Sequence, residues 1–191
     1  MRYSEDHKAR THEKIVDEAA RRFRRDGVGA TGLQPLMKAL GLTHGGFYAH
    51  FKSKGELVES ALRRAADQLK DASARAFESA RPLKAFITGY LSSSHRNEPG
   101  EGCPLPTMSA ELGQRGEASA TTDQLILNRL AAIENNMVGD ASKDESVLLL
   151  SAAVGALVLS RSAHDPELSD RLLKTTRRLL IERYDPDDTA S

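Results

Sequence analysis

The stretch GLTHGGFYAHF, residues 41–51, joins two adjacent glycines to polar side chains of the kinds that bind phosphate or base edges. Glycine is unfavourable here if the stretch is helical, because each one in a helix interior loses ~1 kcal/mol relative to alanine. Gly45 and Gly46 have no side chain, so a helix that opens with them lets a duplex approach its backbone closely. The free N–H groups and partial positive charge of a helix amino terminus also favour phosphate. These residues therefore indicate contact with a nucleic acid.

The side chains that flank the glycines fit that chemistry. Thr43 can cap the helix or donate to a phosphate, and His44 can reach a base edge or a phosphate. Further along the chain, Tyr48 and His50 carry polar groups at the ends of their side chains, and Lys54 carries a positive charge. Phe47 and Phe51, four residues apart, are expected to anchor the short helix to its own core.

An enzyme would need a catalytic constellation, and the sequence does not supply one. Cys103 and His95 fall in one predicted loop without an evident orienting group or oxyanion site. The chain contains neither a GxxxxGK[ST] phosphate loop nor an HExxH metal pair, and the spacing of His7 and His12 makes a weak metal site. We therefore expect no catalytic activity, no cofactor and no bound metal.

Composition places the chain among globular proteins. Of its 191 residues, 39% are hydrophobic and 28% are charged, and Lys+Arg (27) balance Asp+Glu (27). The charge is uneven, because residues 1–64 carry 13 basic and 8 acidic side chains and the remainder is acidic by the same margin. A basic amino-terminal third indicates a surface that binds a polyanion.

Cysteine content and hydropathy predict the compartment. The single cysteine, Cys103, excludes an internal disulfide and fits a reducing cytosol. The opening MRYSEDHKAR has no apolar core, so it does not read as a signal peptide. The longest uncharged run, residues 146–160, is shorter than the ~20 apolar residues that a membrane span needs. We expect a cytoplasmic protein without a membrane partner.

Helical periodicity dominates the chain, with no convincing alternating strand, so the predicted fold class is all-α. Apolar spacing and capping residues predict helices over residues 12–25, 33–40, 43–51 and 53–80. Asp26-Gly27 is expected to end the first of these, and Gly29 to leave the next connection loose. Later helices are predicted over residues 82–91, 108–112, 117–137, 147–159 and from 166 onward, with a loop at 95–104.

The first helices have the arrangement of a helix-turn-helix. Three helices are joined by a glycine-containing turn, and the third is capped by Thr43 and would lie in the DNA major groove. We predict a three-helix DNA-binding domain over residues 1–65 and a larger helical domain for ligand binding and dimerisation over residues 66–191.

The segment GLTHGGFYAHFKSKGELV resembles the signature of TetR-type transcriptional repressors, and the resemblance extends back through GATGLQPLMKAL to cover residues 10–64. The shared features are a glycine turn, a Thr cap, an aromatic–Tyr–x–His–Phe core and a following Lys and Leu. The resemblance implies phosphate contacts by Thr31, Thr43, Tyr48, His50 and Lys54, and base contacts by His44, Gly45 and Gly46. Two positions depart from the family pattern, since Gly32 stands where a Ser or Thr cap is frequent and Met37 where Ala is usual.

The resemblance also implies a homodimer, and the last two helices give an independent reason for one. Their wide apolar faces would expose too much hydrocarbon on a monomer, whereas pairing across a two-fold axis covers it. Burial of these faces within one chain is the alternative. The predicted interface residues are Val154, Gly155, Leu157, Leu172 and Leu179. A dimer would place two recognition helices one DNA turn apart, so the predicted partner is double-stranded DNA with a palindromic operator.

We further hypothesise that the protein is a repressor released by a small apolar or aromatic effector. The effector would enter the helical domain and change the spacing of the two DNA-binding domains, which requires different affinities for the two states. Candidate side chains for the effector site, each with core packing as its alternative role, are Phe77, Phe86, Tyr90, Cys103, Met108, Leu112 and Met137.

Two other functions remain open at this point. In GEGCPLP the glycines are expected to leave Cys103 accessible, and a thiolate at a helix amino terminus is reactive, so the repressor could sense electrophiles or oxidants as some members of the family do. The absence of a second cysteine and the nearby carboxylates of Glu98, Glu101 and Glu111 oppose this reading. A more remote alternative is non-specific architectural DNA binding, with a strong salt dependence.

Overall fold

The computed structural model describes residues 2–137 and 142–186, and within them it confirms the all-α prediction. Helices joined by turns make up these two stretches, and no strand occurs in them. The α-helices found there are α1 (Arg2–Asp26), α2 (Leu33–Ala39), α3 (His44–Phe47), α4 (Lys54–Phe77), α5 (Pro82–Tyr90), α6 (Ser93–Asn97), α7 (Ala110–Gln114), α8 (Ala120–Glu134), α9 (Ser142–Ser162) and α10 (Pro166–Tyr184).

The segment 95–104, predicted to be a loop, is instead largely helical. It contains the end of α6, and a 3₁₀ turn follows over Pro99–Glu101. A π-helical turn over Leu105–Ser109 then leads into α7. The Ser92 hydroxyl accepts the N–H of His95 at 3.1 Å, so a local side-chain cap starts α6 despite the surrounding Gly and Pro residues.

The chain forms two compact units that are not simply consecutive in sequence. The first unit contains residues 1–68 and 100–122, and the second contains residues 69–99 and 123–191. The predicted limits of 1–65 and 66–191 place residues 100–122 in the second domain, whereas the contacts of that segment lie in the first unit. The reason is apolar packing, because Met108 and Leu112 are buried in the hydrophobic core of the first unit.

That core is built mainly from α1 to α4. The spacing of Ile15, Ala19 and Phe23 along α1 places all three on one face, and each is fully buried. Phe47 and Phe51 are buried beside them with their rings stacked at 5.4 Å, which confirms the predicted anchoring of the α3 region. Their burial turns the remaining residues of α3 outward.

Local chemistry explains where the first helices start and stop. Gly27 adopts φ +91° directly after α1, a conformation that glycine tolerates and other residues rarely adopt, so the predicted helix end is confirmed. At the start of α2, Gly32 occupies the cap position without a side-chain cap. A Cβ at Gly32 would lie 3.2 Å from Cδ of Pro35, a closer contact than most side chains make.

The second unit is organised around the last two helices. α10 packs along α9, and α5 packs against α10. The Asp165 carboxylate accepts the N–H of Glu167 at 3.0 Å and Pro166 follows, so the predicted cap-plus-proline start of α10 is confirmed. Ion pairs add to the packing, with Arg183 and Glu145 joined at 2.7 Å.

One helix of this unit, α9, is long and apolar enough to cross a membrane by length and composition alone, with a mean hydropathy of 1.4 over its most apolar window. It is longer than the uncharged run of the sequence because Ser142–Glu145 form its first turn. Core helices of soluble bundles share these properties, and α9 packs along α10 in this chain. The absence of a membrane partner stays a prediction.

Candidate DNA-binding site

The helix α3 presents its amino-terminal residues to solvent. The Thr43 hydroxyl accepts the N–H of Gly46 at 3.1 Å, which confirms the predicted cap. α3 ends at Phe47, earlier than predicted, and backbone hydrogen bonds continue as turns to Phe51. Thr43, His44 and Gly45 are exposed, so the described residues of the first unit leave the start of the helix uncovered.

The two glycines of α3 differ in what the protein itself requires. A Cβ at Gly45 would have no heavy atom within 4 Å, and Gly45 does not adopt a left-handed conformation. A Cβ at Gly46 would lie 3.3 Å from the Thr43 hydroxyl, a close contact at the cap. Neither backbone conformation nor packing within the chain therefore explains Gly45. A bare backbone at this position is what close approach by another molecule would need.

Tyr48 is the most exposed large hydrophobic side chain that the structure describes, with 62% of its surface accessible. Its ring meets the His44 imidazole edge-on, at 5.9 Å between centroids, and packs edge-on against Phe47 at 5.2 Å. The phenol and the imidazole thus stand side by side next to Gly45. Both side chains carry groups that can donate hydrogen bonds to phosphate or base acceptors.

Thr31 is not placed as the resemblance implies. Its side chain is buried, and its hydroxyl donates to the Gly27 carbonyl at 2.7 Å. The hydroxyl therefore closes the turn between α1 and α2 instead of reaching toward DNA. The expected phosphate contact by Thr31 is corrected for this reason.

Lys54 is also engaged within the protein. Its Nζ donates to the carbonyls of Val28 at 2.6 Å and Thr31 at 2.7 Å, and the side chain is half-buried. Burial, followed by the positive charge of Arg115, lowers the pKa of Lys54 below its ordinary value. The point charge expected for the DNA backbone is thus directed into the α1–α2 turn, so a phosphate contact by Lys54 is not supported by its geometry.

His50 lies at the boundary between the surface and the core. Its ring is 6.1 Å from that of His12, which in turn stacks on Phe51 at 4.5 Å. Nδ1 of His50 is buried and makes no hydrogen bond within the described residues. Burial, with smaller effects from His12 and Lys8, lowers the pKa of His50 and favours its neutral form. Its expected phosphate contact stays a prediction.

The residues predicted to line an effector site are divided between the two units. Phe77, Phe86 and Tyr90 come together in the second unit, with Phe86 stacked on Phe77 at 5.3 Å and 5.5 Å from Tyr90. Met108 and Leu112 instead fill the core of the first unit. Met137 follows α8 and is half-buried. Contact of any of these residues with an effector stays a prediction.

Cys103 is buried, with 1% of its surface accessible, which corrects the expectation that adjacent glycines leave it exposed. Instead of opening the loop, the glycines let it pack closely. A Cβ at Gly100 would lie 3.1 Å from Cγ of Arg21, and the Gly102 carbonyl accepts from Arg24 at 3.2 Å. Arg24 is itself 2% exposed and carries its charge close to the thiol.

The predicted dimer residues are only partly available on the surface. Leu157 is fully buried within its own unit, so its assignment to an interface is corrected. Val154, Gly155 and Leu172 are half-buried, and Leu179 is 50% exposed. The sequence reasoning missed exposed leucines on the same two helices, namely Leu148, Leu159 and Leu168. Their spacing could have identified them, because 148, 155 and 159 share one face of α9, and 168, 172 and 179 share one face of α10.

The amino-terminal part of the chain is similar in sequence to known bacterial regulators. The family described as bacterial regulatory proteins, tetR family, matches residues 15–61. The transcriptional regulator TtgR of Pseudomonas putida is 35% identical over 79 residues, which cover 41% of this chain and 37% of TtgR. The chain therefore aligns with little more than a third of that relative.

Solved structures match along nearly the whole chain. A TetR transcriptional regulator from Chloroflexus aurantiacus superposes with a TM-score of 0.76 at 20% identity, covering 96% of this chain and 98% of that one. The reduced form of NemR from E. coli gives a TM-score of 0.74 at 16% identity, covering 94% of this chain and 99% of NemR. At these identities the likeness concerns the fold. The likeness in sequence to the tetR family of bacterial regulatory proteins thus lies in the amino-terminal part of the chain, at residues 15–61.

Proposed function

We propose that the protein is a sequence-specific DNA-binding transcriptional regulator. The observation that carries the proposal is the exposed start of α3, where Gly45 has free space around it and Tyr48 and His44 stand beside it. Insertion of this surface into the major groove would use the bare backbone for close approach and the two side chains for contacts to the DNA. The basic character of residues 1–64 adds long-range attraction to the duplex.

The regulator acts as a homodimer on a palindromic operator. The support comes from two apolar stripes in the second unit, one on α9 with Leu148 and Leu159 and one on α10 with Leu168 and Leu179, each about half exposed. Between them on α9, a Cβ at Gly155 would have no heavy atom within 4 Å, which leaves room for a close-packed second helix. A second copy of the chain supplies the same two stripes and covers them in a self-complementary way.

The proposed regulation is repression that is relieved by a small apolar or aromatic effector. The rings of Phe77 and Phe86 are stacked and that of Tyr90 is tilted against Phe86, and the guanidinium of the buried Arg129 lies 5.6 Å from the Phe86 ring centre. Aromatic rings and a guanidinium offer the contacts that a flat apolar molecule would use. The helices α4 and α8 each run from one unit into the other, so a change in the second unit is transmitted along continuous backbone. A site of action in the cytoplasm is part of the same proposal.

The experiment that tests DNA recognition is selection of binding sites from a random duplex pool with the purified protein. We expect recovery of a two-fold symmetric sequence, and a Kd at least ~10³-fold lower than for a scrambled duplex at physiological salt. Equal affinity for all recovered and scrambled duplexes would instead indicate architectural binding. Addition of small aromatic compounds to the selected complex, followed by fluorescence anisotropy, then identifies the effector class by release.

A second candidate, sensing through Cys103, is favoured by the positive charge of Arg24 beside the thiol, because a neighbouring guanidinium stabilises a thiolate. The fold is also shared with NemR, whose structure is of a reduced form. Since Cys103 is 1% exposed, an oxidant would require local opening before it reaches the sulfur. The test compares hypochlorite-induced DNA release from wild-type protein and from Cys103→Ser, and an unchanged response in the variant ends this candidate.

A further inference from the structure

The turn between α1 and α2, residues 27–32, is held by a carboxylate that comes from far along the chain. Oε2 of Glu111 accepts the N–H of Val28 at 2.6 Å, and Oε1 accepts the N–H of Gly29 at 2.7 Å. Both oxygens of one carboxylate are thus used by two successive backbone donors. Charge-assisted hydrogen bonds of this kind are shorter and stronger than those between neutral groups.

The glycines of the turn make room for this carboxylate. A Cβ at Gly27 would lie 2.9 Å from Oε2, and a Cβ at Gly29 would lie 2.9 Å from Oε1. Gly27 also needs its left-handed conformation, but Gly29 does not. The space taken by Glu111 is therefore the structural reason for glycine at position 29. Far from leaving the connection loose, as the sequence predicted, Gly29 allows the turn to be tied down.

The same turn is held from a second side by α4. Lys54 donates to the Val28 and Thr31 carbonyls, so both backbone polar groups of Val28 are bound by side chains, one from α7 and one from α4. The turn leads directly into α2, the first helix of the helix-turn-helix. Its position is consequently set by two elements outside that motif.

Glu111 belongs to the segment 100–122, which leaves the second unit after Pro99 and returns to it within α8. Met108 and Leu112 anchor the segment in the first core, where both are buried. The backbone joins this segment directly to residues 69–99 on one side and to the rest of α8 on the other. Glu111 is the residue through which the segment holds the α1–α2 turn by hydrogen bonds.

We propose that Glu111 is a positioning residue for DNA binding, which couples the segment 100–122 to the helix-turn-helix. The carboxylate keeps the α1–α2 turn, and with it α2 and α3, in the arrangement that fits the major groove. A shift of the segment lengthens both hydrogen bonds at once and loosens the motif. This inference rests on the proposed function, because it concerns the geometry needed for operator recognition.

The test uses two variants that disturb the same contact in different ways. Glu111→Gln removes the charge and replaces one acceptor oxygen by an N–H₂ group that faces a donor. Gly29→Ala keeps the carboxylate but displaces it, and since the clash is with the end of a flexible side chain the fold is retained. Glu117→Gln is the control, because Glu117 is exposed and its described ion pair, with Arg115 at 3.2 Å, lies at the surface. Arg115 also pairs with Glu111 at 3.4 Å, so this control shows the effect of disturbing the shared ion pair while both hydrogen bonds to the turn are kept.

The first measurement is amide hydrogen exchange of the free protein. We expect the Val28 and Gly29 amides to exchange about tenfold faster in both variants, and at the wild-type rate in the control. The second measurement is the Kd for the selected and the scrambled duplex. Both variants should bind the selected duplex about tenfold more weakly, with the ratio between selected and scrambled Kd reduced.

The ratio separates positioning from a purely structural role. Loss of folded protein alone would weaken the binding of both duplexes equally and leave the ratio of their Kd values unchanged. That result would overturn the proposal. Unchanged exchange at Val28 and Gly29, or faster exchange with an unchanged Kd, would overturn it as well. If the wild-type protein itself binds no selected duplex, the proposed function fails and this inference fails with it. If the wild-type protein and both variants bind the selected duplex equally well, only the role of Glu111 is refuted.

Discussion

Replacement of Gly45 by alanine is predicted to change stability and DNA affinity in opposite directions. The position lies in the first turn of α3, where a Cβ would have no heavy atom within 4 Å and the backbone is not left-handed. Alanine therefore introduces no clash within the protein. Because alanine is favoured over glycine in a helix by at least about 0.5 kcal/mol, the free energy of unfolding should rise by about that amount. For a chain of this size the Tm should increase by about 1–2 °C.

The same methyl group should weaken operator binding. An extra carbon in a closely packed contact is unfavourable by about 1 kcal/mol. A dimer makes the contact twice, so the loss is about 2 kcal/mol, or about 30-fold in Kd. Fluorescence anisotropy with the selected duplex measures this loss, and differential scanning calorimetry measures the Tm of the same preparation.

Gly89→Ala provides the matched control for this prediction. Gly89 lies within α5, is exposed, and also has no heavy atom within 4 Å of a Cβ. Alanine there should raise the Tm in the same way and leave the Kd unchanged. Undiminished operator affinity in the Gly45→Ala protein would refute the reasoning, as would an equal loss of affinity in the Gly89→Ala control.

Four other changes test the remaining contacts. Tyr48→Phe, which removes only an exposed hydroxyl, should weaken binding to every duplex by about 1 kcal/mol per protomer with no change in Tm. Lys54→Met should lower the free energy of unfolding by about 2 kcal/mol, because two charged hydrogen bonds are lost. The same variant should leave the salt slope of DNA binding unchanged. A phosphate contact by Lys54 would instead reduce that slope by ~1. Since the pKa of His50 is lowered from 6.5 in the folded protein, the free energy of unfolding should fall as the pH drops below that value, and urea titrations of His50→Gln should show a weaker dependence. In sedimentation experiments, Leu159→Asp should convert the dimer to a monomer. Leu127→Asp should leave the dimer intact, although Leu127 of α8 is equally exposed.

The parts of the fold that depend on neighbours in sequence could be predicted from the sequence. Thr43 and Asp165 are caps because their side chains reach backbone N–H groups two or three residues away. The burial of Phe47 and Phe51 follows from their spacing on one turn of helix and their lack of polar groups. The exposed positions of α3 then follow, because the anchored face determines the opposite one.

The features that the sequence could not predict depend on a segment that returns from far along the chain or on partners distant in sequence. The position of Lys54 after the recognition helix predicts a side chain that faces DNA, but its partners are carbonyls in the α1–α2 turn, 23 and 26 residues earlier. The glycines around Cys103 predict an exposed thiol, whereas Gly100 packs directly on α1. The carboxylate of Glu111 has no interpretable signal in the sequence, because its partners are backbone N–H groups that every sequence possesses.

Methylation interference on the selected duplex tests the central claim most directly, because methyl groups on guanine N7 project into the major groove where α3 would lie. We predict that N7 methylation within two half-sites, separated by about one helical turn, prevents binding by the wild-type protein. Methylation between or outside the half-sites should have no effect. Binding that tolerates N7 methylation at every guanine of the selected site would contradict major-groove insertion of the region around Gly45.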